Sequence, residues 1–228
     1  MDGPYLERRG RFLIARFGRR HRLLSFAIVR GGFVDGETVA WCAVRDDELR
    51  PPVDPALFLE QQLAGAAIPD AVGLMTSASL DAYVEVEHAA AGIGVQCVAT
   101  VGLDNALRAG DPVAPAYAPA GTINILCRSS ASLSDQALIE MLSLVAEART
   151  LAVLEGGVAS RASGLPATGT GTDCIVVAAP SGQPAVRHAG KHTMLGHLVG
   201  AAVGDAVGRG VRGWLAWQDS RRAQDGRS

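Results

Sequence analysis

Apolar positions in the first half of this chain come in short runs separated by turn-forming residues. Sustained helical spacing appears only in the second half. Residues 11–17 form one short apolar run, residues 18–20 read as a turn, and residues 21–29 read as a second strand closed by Gly31 and Gly32. Residues 39–44 supply a third run, so the opening predicts an antiparallel meander. Pro51 and Pro52 then break the chain. Asp54 before Pro55 predicts a helix start. The carboxylate can accept from first-turn N–H groups, and proline at the first helical position gives up an N–H that has no partner there. That helix passes through Phe58 and Leu63. Residues 72–77 read as a buried strand ending in hydroxyls, and residues 83–86 and 94–101 as two more. Pro112, Pro115 and Pro119 mark residues 111–119 as a loop.

In the second half, residues 122–127 form a strand, and Ser132 with Asp135 has the spacing of a capping box. Leu138, Met141, Leu142, Val145, Ala148 and Ala152 then repeat at helical intervals. A loop rich in Gly, Ser and Thr spans 156–172, a strand spans 174–179, and a last helix runs from about His192 to Gly208. This helix carries Gly196, Gly200, Gly204 and Gly208 on one stripe, beside an apolar stripe of Leu195, Leu198, Val199, Ala202, Val203 and Ala206. Each glycine costs a helix roughly 1 kcal/mol relative to alanine, so four in register predict a closely packed neighbouring element or a bulky ligand. The simplest fold is one α+β domain over residues 1–212, a mixed and largely antiparallel sheet flanked by helices. A polar tail follows over 213–228.

Composition narrows the classes. The chain has 228 residues, 48% hydrophobic and 19% charged, which supports a substantial core and excludes a disordered chain. The net charge of -2 shows no basic excess, so nucleic acid is not an expected partner. Arginines gather over 8–22 and 209–222 and read as solvated surface. The start lacks the basic and apolar regions of a signal peptide, and no run reaches the ~18 apolar residues of a membrane span, so a cytoplasmic protein without membrane contact is expected. Cys42, Cys97, Cys127 and Cys174 each lie in or beside an apolar run and read as buried small hydrophobes. His188, His192 and His197 do not match zinc-site spacing, and no metal is expected.

The densest polar cluster in an apolar setting is Ala167-Thr168-Gly169-Thr170-Gly171-Thr172-Asp173, where backbone N–H groups and hydroxyls can converge. Asp173 is either tied down by that loop or open at the floor of a pocket. Gly190-Lys191-His192-Thr193 lacks the upstream glycine of a phosphate loop. It opens the last helix, where unpaired N–H groups favour an anion and His192 can move a proton near neutral pH, or merely cap the helix. Asn124 is polar inside an apolar strand, and Asn105 follows another strand; both could bind amides or satisfy loop backbone. Arg149 lies near the apolar stripe of its helix, which calls for a buried partner or a snorkelling side chain, whereas Glu147 reads as surface.

Several segments taken together resemble the adenosylcobinamide amidohydrolase family, known as CbiZ. They are Gly73-Leu74-Met75-Thr76-Ser77-Ala78, Thr100-Val101-Gly102-Leu103-Asp104-Asn105-Ala106 with Arg108, Gly110 and Asp111, Gly121-Thr122-Ile123-Asn124-Ile125, Glu147-Ala148-Arg149-Thr150, the loop ending at Asp173, and Ala189-Gly190-Lys191-His192-Thr193 with Leu195-Gly196. No single motif is decisive; their joint order is. Asp104 stands where a small polar residue such as Ser is usual, and Arg149 where Lys is usual. The resemblance implies hydrolysis of the amide joining the aminopropanol arm to the corrin ring of adenosylcobinamide, giving adenosylcobyric acid. Some members of that family also act on complete cobamides such as pseudocobalamin. The resemblance implies a small-molecule corrinoid substrate that brings its own cobalt, and no cofactor. On that footing His192 or Asp173 is the expected general base, with Thr170 and Thr172 as catalytic hydroxyls. Asn105, Asn124, Thr168, Lys191, Thr193, Glu147 and Thr76 form the expected substrate-binding set. Alanine at Asp173 or His192 should then abolish turnover and leave the fold intact. A non-catalytic corrinoid-binding protein is the competing reading. A third is an autoprocessing hydrolase cut between Gly121 and Thr122, which intact chain mass would reveal. The glycine-rich helix and the apolar surplus are compatible with a homodimer.

Overall fold

The structure, a computed structural model, describes residues 4–45, 47–113 and 121–225. Pro115 and Pro119 of the expected loop lie outside the described residues. Among the described residues ten strands and three α-helices follow in chain order: β1 (Tyr5–Arg9), β2 (Phe12–Ser25), β3 (Gly32–Ala43), α1 (Pro55–Gly65), β4 (Val72–Thr76), β5 (Val84–Ala90), β6 (Ile93–Val101), β7 (Ala106–Leu107), β8 (Ile123–Ser129), α2 (Asp135–Glu155), β9 (Gly169–Thr170), β10 (Cys174–Pro180) and α3 (Met194–Asp225). Eight strands form one sheet in the order β4-β3-β2-β10-β8-β6-β5, with β1 also paired to β2; β7 and β9 form a small second sheet. The β3–β4 and β8–β10 pairs are parallel and the rest antiparallel, so the mixed α+β domain expected from the sequence is observed.

The middle strands explain their own sequences. All seven residues of β8 and of β10 are buried, as both faces of these strands are covered; β10 accordingly reads as a continuous apolar run, while β8 buries Asn124, Arg128 and Ser129 among its apolar residues. The sheet bends so that β4 reaches over β8, where Asn124 Nδ2 donates to Met75 O at 2.6 Å. Between the two halves lies an inner apolar layer, with Leu13, Trp41 and Leu74 from one side and Val98, Leu126 and Val176 from the other. Helices α2 and α3 cover the opposite face of β6, β8 and β10 through Ile125, Val177, Leu138, Met141, Leu198 and Val203. Helix α1 covers β2–β4 through Leu59 and Leu63. Each fully buried leucine in these layers contributes about 1.5–3 kcal/mol.

Four boundaries differ from the sequence reading. Residues 18–20 do not reverse the chain: β2 is one 14-residue strand with a bulge between Arg16 and His21. A bulge absorbs the extra residues and adds twist while the strand continues. Strand β1 escapes the hydrophobic pattern because Glu7, Arg8 and Arg9 give it a polar, exposed face. Helix α2 is capped by Ser134, whose hydroxyl accepts from Ala137 N, while Ser132 binds Gln183 O and Ala185 N instead. Helix α3 begins at Met194 and continues past Gly208 to Asp225.

All four cysteines are buried and free. Burial pushes the Cys42 thiol up to about 11 and the Cys174 thiol up to about 12, and raises Cys97 and Cys127, which face each other across β6 and β8, further still. Since the thiolate is the reactive form, labelling by a thiol reagent at pH 8 should run about 100-fold slower in the native protein than in denaturant. Mass spectrometry during a labelling time course checks this; rapid native labelling of any of the four would contradict it.

Candidate functional site

A cleft opens where the end of β4 meets the beginnings of β8 and β10. It encloses about 400 Å³ and is lined by Thr76, Ser77, Asn105, Gly121, Thr122, Asn124, Thr172, Asp173 and Cys174, with Phe26, Ile28, Val44, Leu49 and Pro55 among its apolar walls. The parallel pairing of β8 with β10 starts both strands at this end, which brings residues 121–124 beside 172–174. Asn124 sits opposite Thr100 on β6 and Cys174 on β10, so its side chain shares the inner face of the sheet with theirs. Its carboxamide is held at both ends: Nδ2 donates to Met75 O, and Oδ1 lies 3.2 Å from Thr122 Oγ1. The nearer acceptor for the Thr122 hydroxyl is Thr172 O at 2.7 Å. Thr172 Oγ1 in turn donates to Gly121 O at 3.2 Å.

Asp173 both lines the cleft and is tied down by its loop. Oδ1 accepts from Ile123 N at 3.0 Å and from the Thr170 hydroxyl; Oδ2 accepts from Thr170 N at 2.9 Å and from Arg149 Nη1. A carboxylate has about four acceptor positions, and four donors occupy them here. The Asp173 side chain is 8% exposed and that of Arg149 15% exposed. Of the two alternatives the sequence left for Arg149, the partnered one is observed, and burial holds its guanidinium below its ordinary value. The pair fastens the loop between β9 and β10 to α2. With every lone pair engaged, Asp173 holds the cleft wall in place and has no free position from which to take a proton.

The expected site residues divide by location. Thr76, Asn105, Asn124, Thr172 and Asp173 come together in the cleft. Thr170 stands behind Asp173 as its donor. Thr168 braces the backbone, its hydroxyl accepting from Ala109 N and its carbonyl from Thr150 Oγ1. Thr193 caps α3, with Oγ1 accepting from Gly196 N at 2.9 Å, and its own N–H is spent on Gly190 O. Glu147 and Lys191 form an exposed ion pair across a second groove, between α2 and α3. His192 is exposed and lines neither space, so it is not brought together with Asp173. Asp104, the departure from the family pattern, accepts from Gln218 Nε2 at 3.3 Å. Sequence reasoning missed Phe26 and Ile28 at the cleft rim and gave Thr122 no place in the binding set. A polar residue after glycine at the mouth of a buried strand was the available signal.

Gly196 and Gly200 of the α3 stripe line the second groove, which encloses about 640 Å³ and includes Leu151, His197 and Ala201, while Gly204 and Gly208 line a further space between the same two helices. Only Gly196 is tightly packed along the stripe: a Cβ there would lie 2.2 Å from Gly190 O and 2.6 Å from Ala189 O. Nothing stands within 4 Å of a Cβ built at Gly200 or Gly204, so close packing explains one glycine of the four and not the stripe. Among the described residues no three His, Cys, Asp or Glu are grouped to hold a metal ion, and no helix is long and apolar enough to cross a membrane.

Fold and cleft together define a single-domain α+β protein whose cleft sets carboxamides and hydroxyls between apolar walls. The chain belongs to the adenosylcobinamide amidohydrolase family, CbiZ, whose sequence model matches residues 2–219. Among curated proteins it is similar to the uncharacterized protein MJ1613 of Methanocaldococcus jannaschii, at 39% identity over 80 residues. That match covers 35% of this chain and 31% of the relative's length. Among solved structures it is similar to the PH0078 protein of Pyrococcus horikoshii OT3, with TM-score 0.42 and 11% identity over 94% of this chain and 83% of that one. A Burkholderia sp. beta-aminopeptidase gives TM-score 0.43 and 10% identity over 93% and 83%. Likenesses this distant carry no argument about chemistry.

Proposed function

We propose that this protein hydrolyses the amide joining the aminopropanol arm to the corrin ring of adenosylcobinamide, releasing adenosylcobyric acid, and that it acts on complete cobamides as well. Membership of the amidohydrolase family supports the reaction class. The observation that carries the reading is the cleft: Thr76, Asn105, Asn124 and Thr172 gather at the end of an apolar-walled space of about 400 Å³. That volume lies toward the small end of ligand sites. It suits an amide-bearing arm and leaves the broad ring at the mouth, where Phe26 (54% exposed) and Ile28 (50% exposed) offer an apolar platform. Carboxamides and hydroxyls both donate and accept, which matches an amide substrate. Cobalt enters as part of the substrate.

The test is incubation of purified protein with adenosylcobinamide, followed by mass spectrometry of the corrinoid. Conversion to adenosylcobyric acid with release of aminopropanol is expected. Tight binding without conversion would favour a non-catalytic corrinoid-binding protein. Neither binding nor conversion would overturn the substrate assignment.

A further inference from the structure

Amide hydrolysis through a side-chain nucleophile needs a base beside it, and the cleft is short of bases. Among the described residues the only ionisable groups lining it are Asp173, whose oxygens are fully engaged, and Cys174, whose thiol burial holds protonated. What the cleft does hold is Thr122, 4% exposed, its hydroxyl fixed at 2.7 Å from Thr172 O. A threonine can be activated by its own α-amino group when it stands at a chain terminus. We infer that Thr122 is the nucleophile and that the protein prepares it by cutting its own chain between Gly121 and Thr122.

The surroundings of that peptide bond fit the step. The Thr122 hydroxyl is covalently placed to reach the Gly121 carbonyl carbon through a five-membered ring. Thr172 Oγ1 donates to the Gly121 oxygen, the atom on which negative charge develops. Gly121 packs directly onto the 104–105 backbone: a Cβ there would lie 2.6 Å from Asn105 N and 2.8 Å from Asp104 N. Only glycine lets the bond lie so close to those amides. In the first step the Thr122 oxygen bonds to the Gly121 carbon, the C–N bond breaks, and the hydroxyl proton passes to the nitrogen. Water then hydrolyses the resulting ester, leaving a Gly121 carboxylate, a free Thr122 hydroxyl and a free α-amine. One water is consumed. In turnover the amine takes the hydroxyl proton as Thr122 attacks the substrate amide. It returns that proton to the departing aminopropanol nitrogen, and a second water frees the acid. The two pieces stay together because their strands interleave: β8 lies between β6 and β10, and β10 pairs with β2.

The inference rests on the amidohydrolase reading, and its test separates the two. Denaturing mass analysis of the purified full chain should show two co-purifying pieces, one ending at Gly121 and one starting at Thr122, whose masses sum to the intact chain plus one water. Thr122→Ala should remain one chain and make no adenosylcobyric acid. Thr122→Ser, which keeps a hydroxyl, should cut more slowly and keep measurable turnover, so loss of cutting in the alanine variant cannot be laid to misfolding. The cutting rate should not depend on protein concentration. An uncut wild type overturns the inference whether or not it turns over, and so does cutting at the same bond in Thr122→Ala. A wild type cut at Gly121–Thr122 that leaves adenosylcobinamide unchanged upholds self-cleavage and overturns the substrate assignment.

Discussion

Asp173→Ala is expected to lower folding stability by about 3–5 kcal/mol, the usual cost of stranding one member of a buried ion pair. The substitution leaves the Arg149 guanidinium, 15% exposed in its side chain, without its carboxylate. It also removes the acceptor for Ile123 N, Thr170 N and the Thr170 hydroxyl. The sequence reading placed Asp173 in proton transfer and expected the fold to survive its loss. The geometry reverses that expectation, because the same carboxylate joins β8, α2 and the loop between β9 and β10. Denaturant unfolding checks it: the midpoint should fall sharply, and the double variant Asp173→Ala/Arg149→Met should recover part of the loss, as no charge is then stranded. An unchanged midpoint in the single variant would show that the pair carries little of the fold.

The second large effect is on α3, where neighbouring glycines should respond with opposite signs. Gly196→Ala drives a methyl group to within 2.2 Å of Gly190 O, a backbone atom that cannot rotate away, and should destabilise by about 2–3 kcal/mol. Gly200→Ala and Gly204→Ala meet open space and should each stabilise by up to about 1 kcal/mol, the helix propensity gained. Thermal unfolding of the three variants measures this directly. Equal effects at all three positions would mean that the stripe acts as one packed surface. If Gly200→Ala and Gly204→Ala are stable but impair turnover, the groove between α2 and α3 takes part in the reaction.

What the sequence disclosed was mostly local. The strands read from the sequence at 72–77, 122–127 and 174–179 were legible because each is a short, mostly apolar run, and the strands observed there are buried on nearly every position. Asp54 announced α1 because capping acts within one turn, and its carboxylate does accept from Ala56 N and Leu57 N. The bulge in β2 was not legible, since residues 18–20 have the composition of a turn and only pairing with β3 shows that the strand continues. The site suffered the same limit. Lys191 and His192 follow Asp173 closely along the chain, but the turn into α3 sets Lys191 against Glu147 on α2. Thr76, Asn105 and Asn124 come from three separate segments, and the bend that carries β4 over β8 has no signature in any of them. For Arg149 a buried partner was one of two alternatives, and nothing local to α2 could identify Asp173 as that partner.

Strand β10 occupies the middle of the sheet although it is the last strand of the chain, flanked by β2 from residues 12–25 and β8 from residues 123–129. As the polypeptide emerges during synthesis, one edge of β2 beyond the bulge and one edge of β8 stay open until residues 174–180 appear. The chain must be made through residue 180 before the two halves can close. Contacts between such distant segments make folding slow, and open apolar strand edges invite pairing with other chains in the interval. Yield of native protein should therefore be governed by how quickly translation passes β10, and truncations that stop short of it should aggregate instead of forming a smaller stable domain.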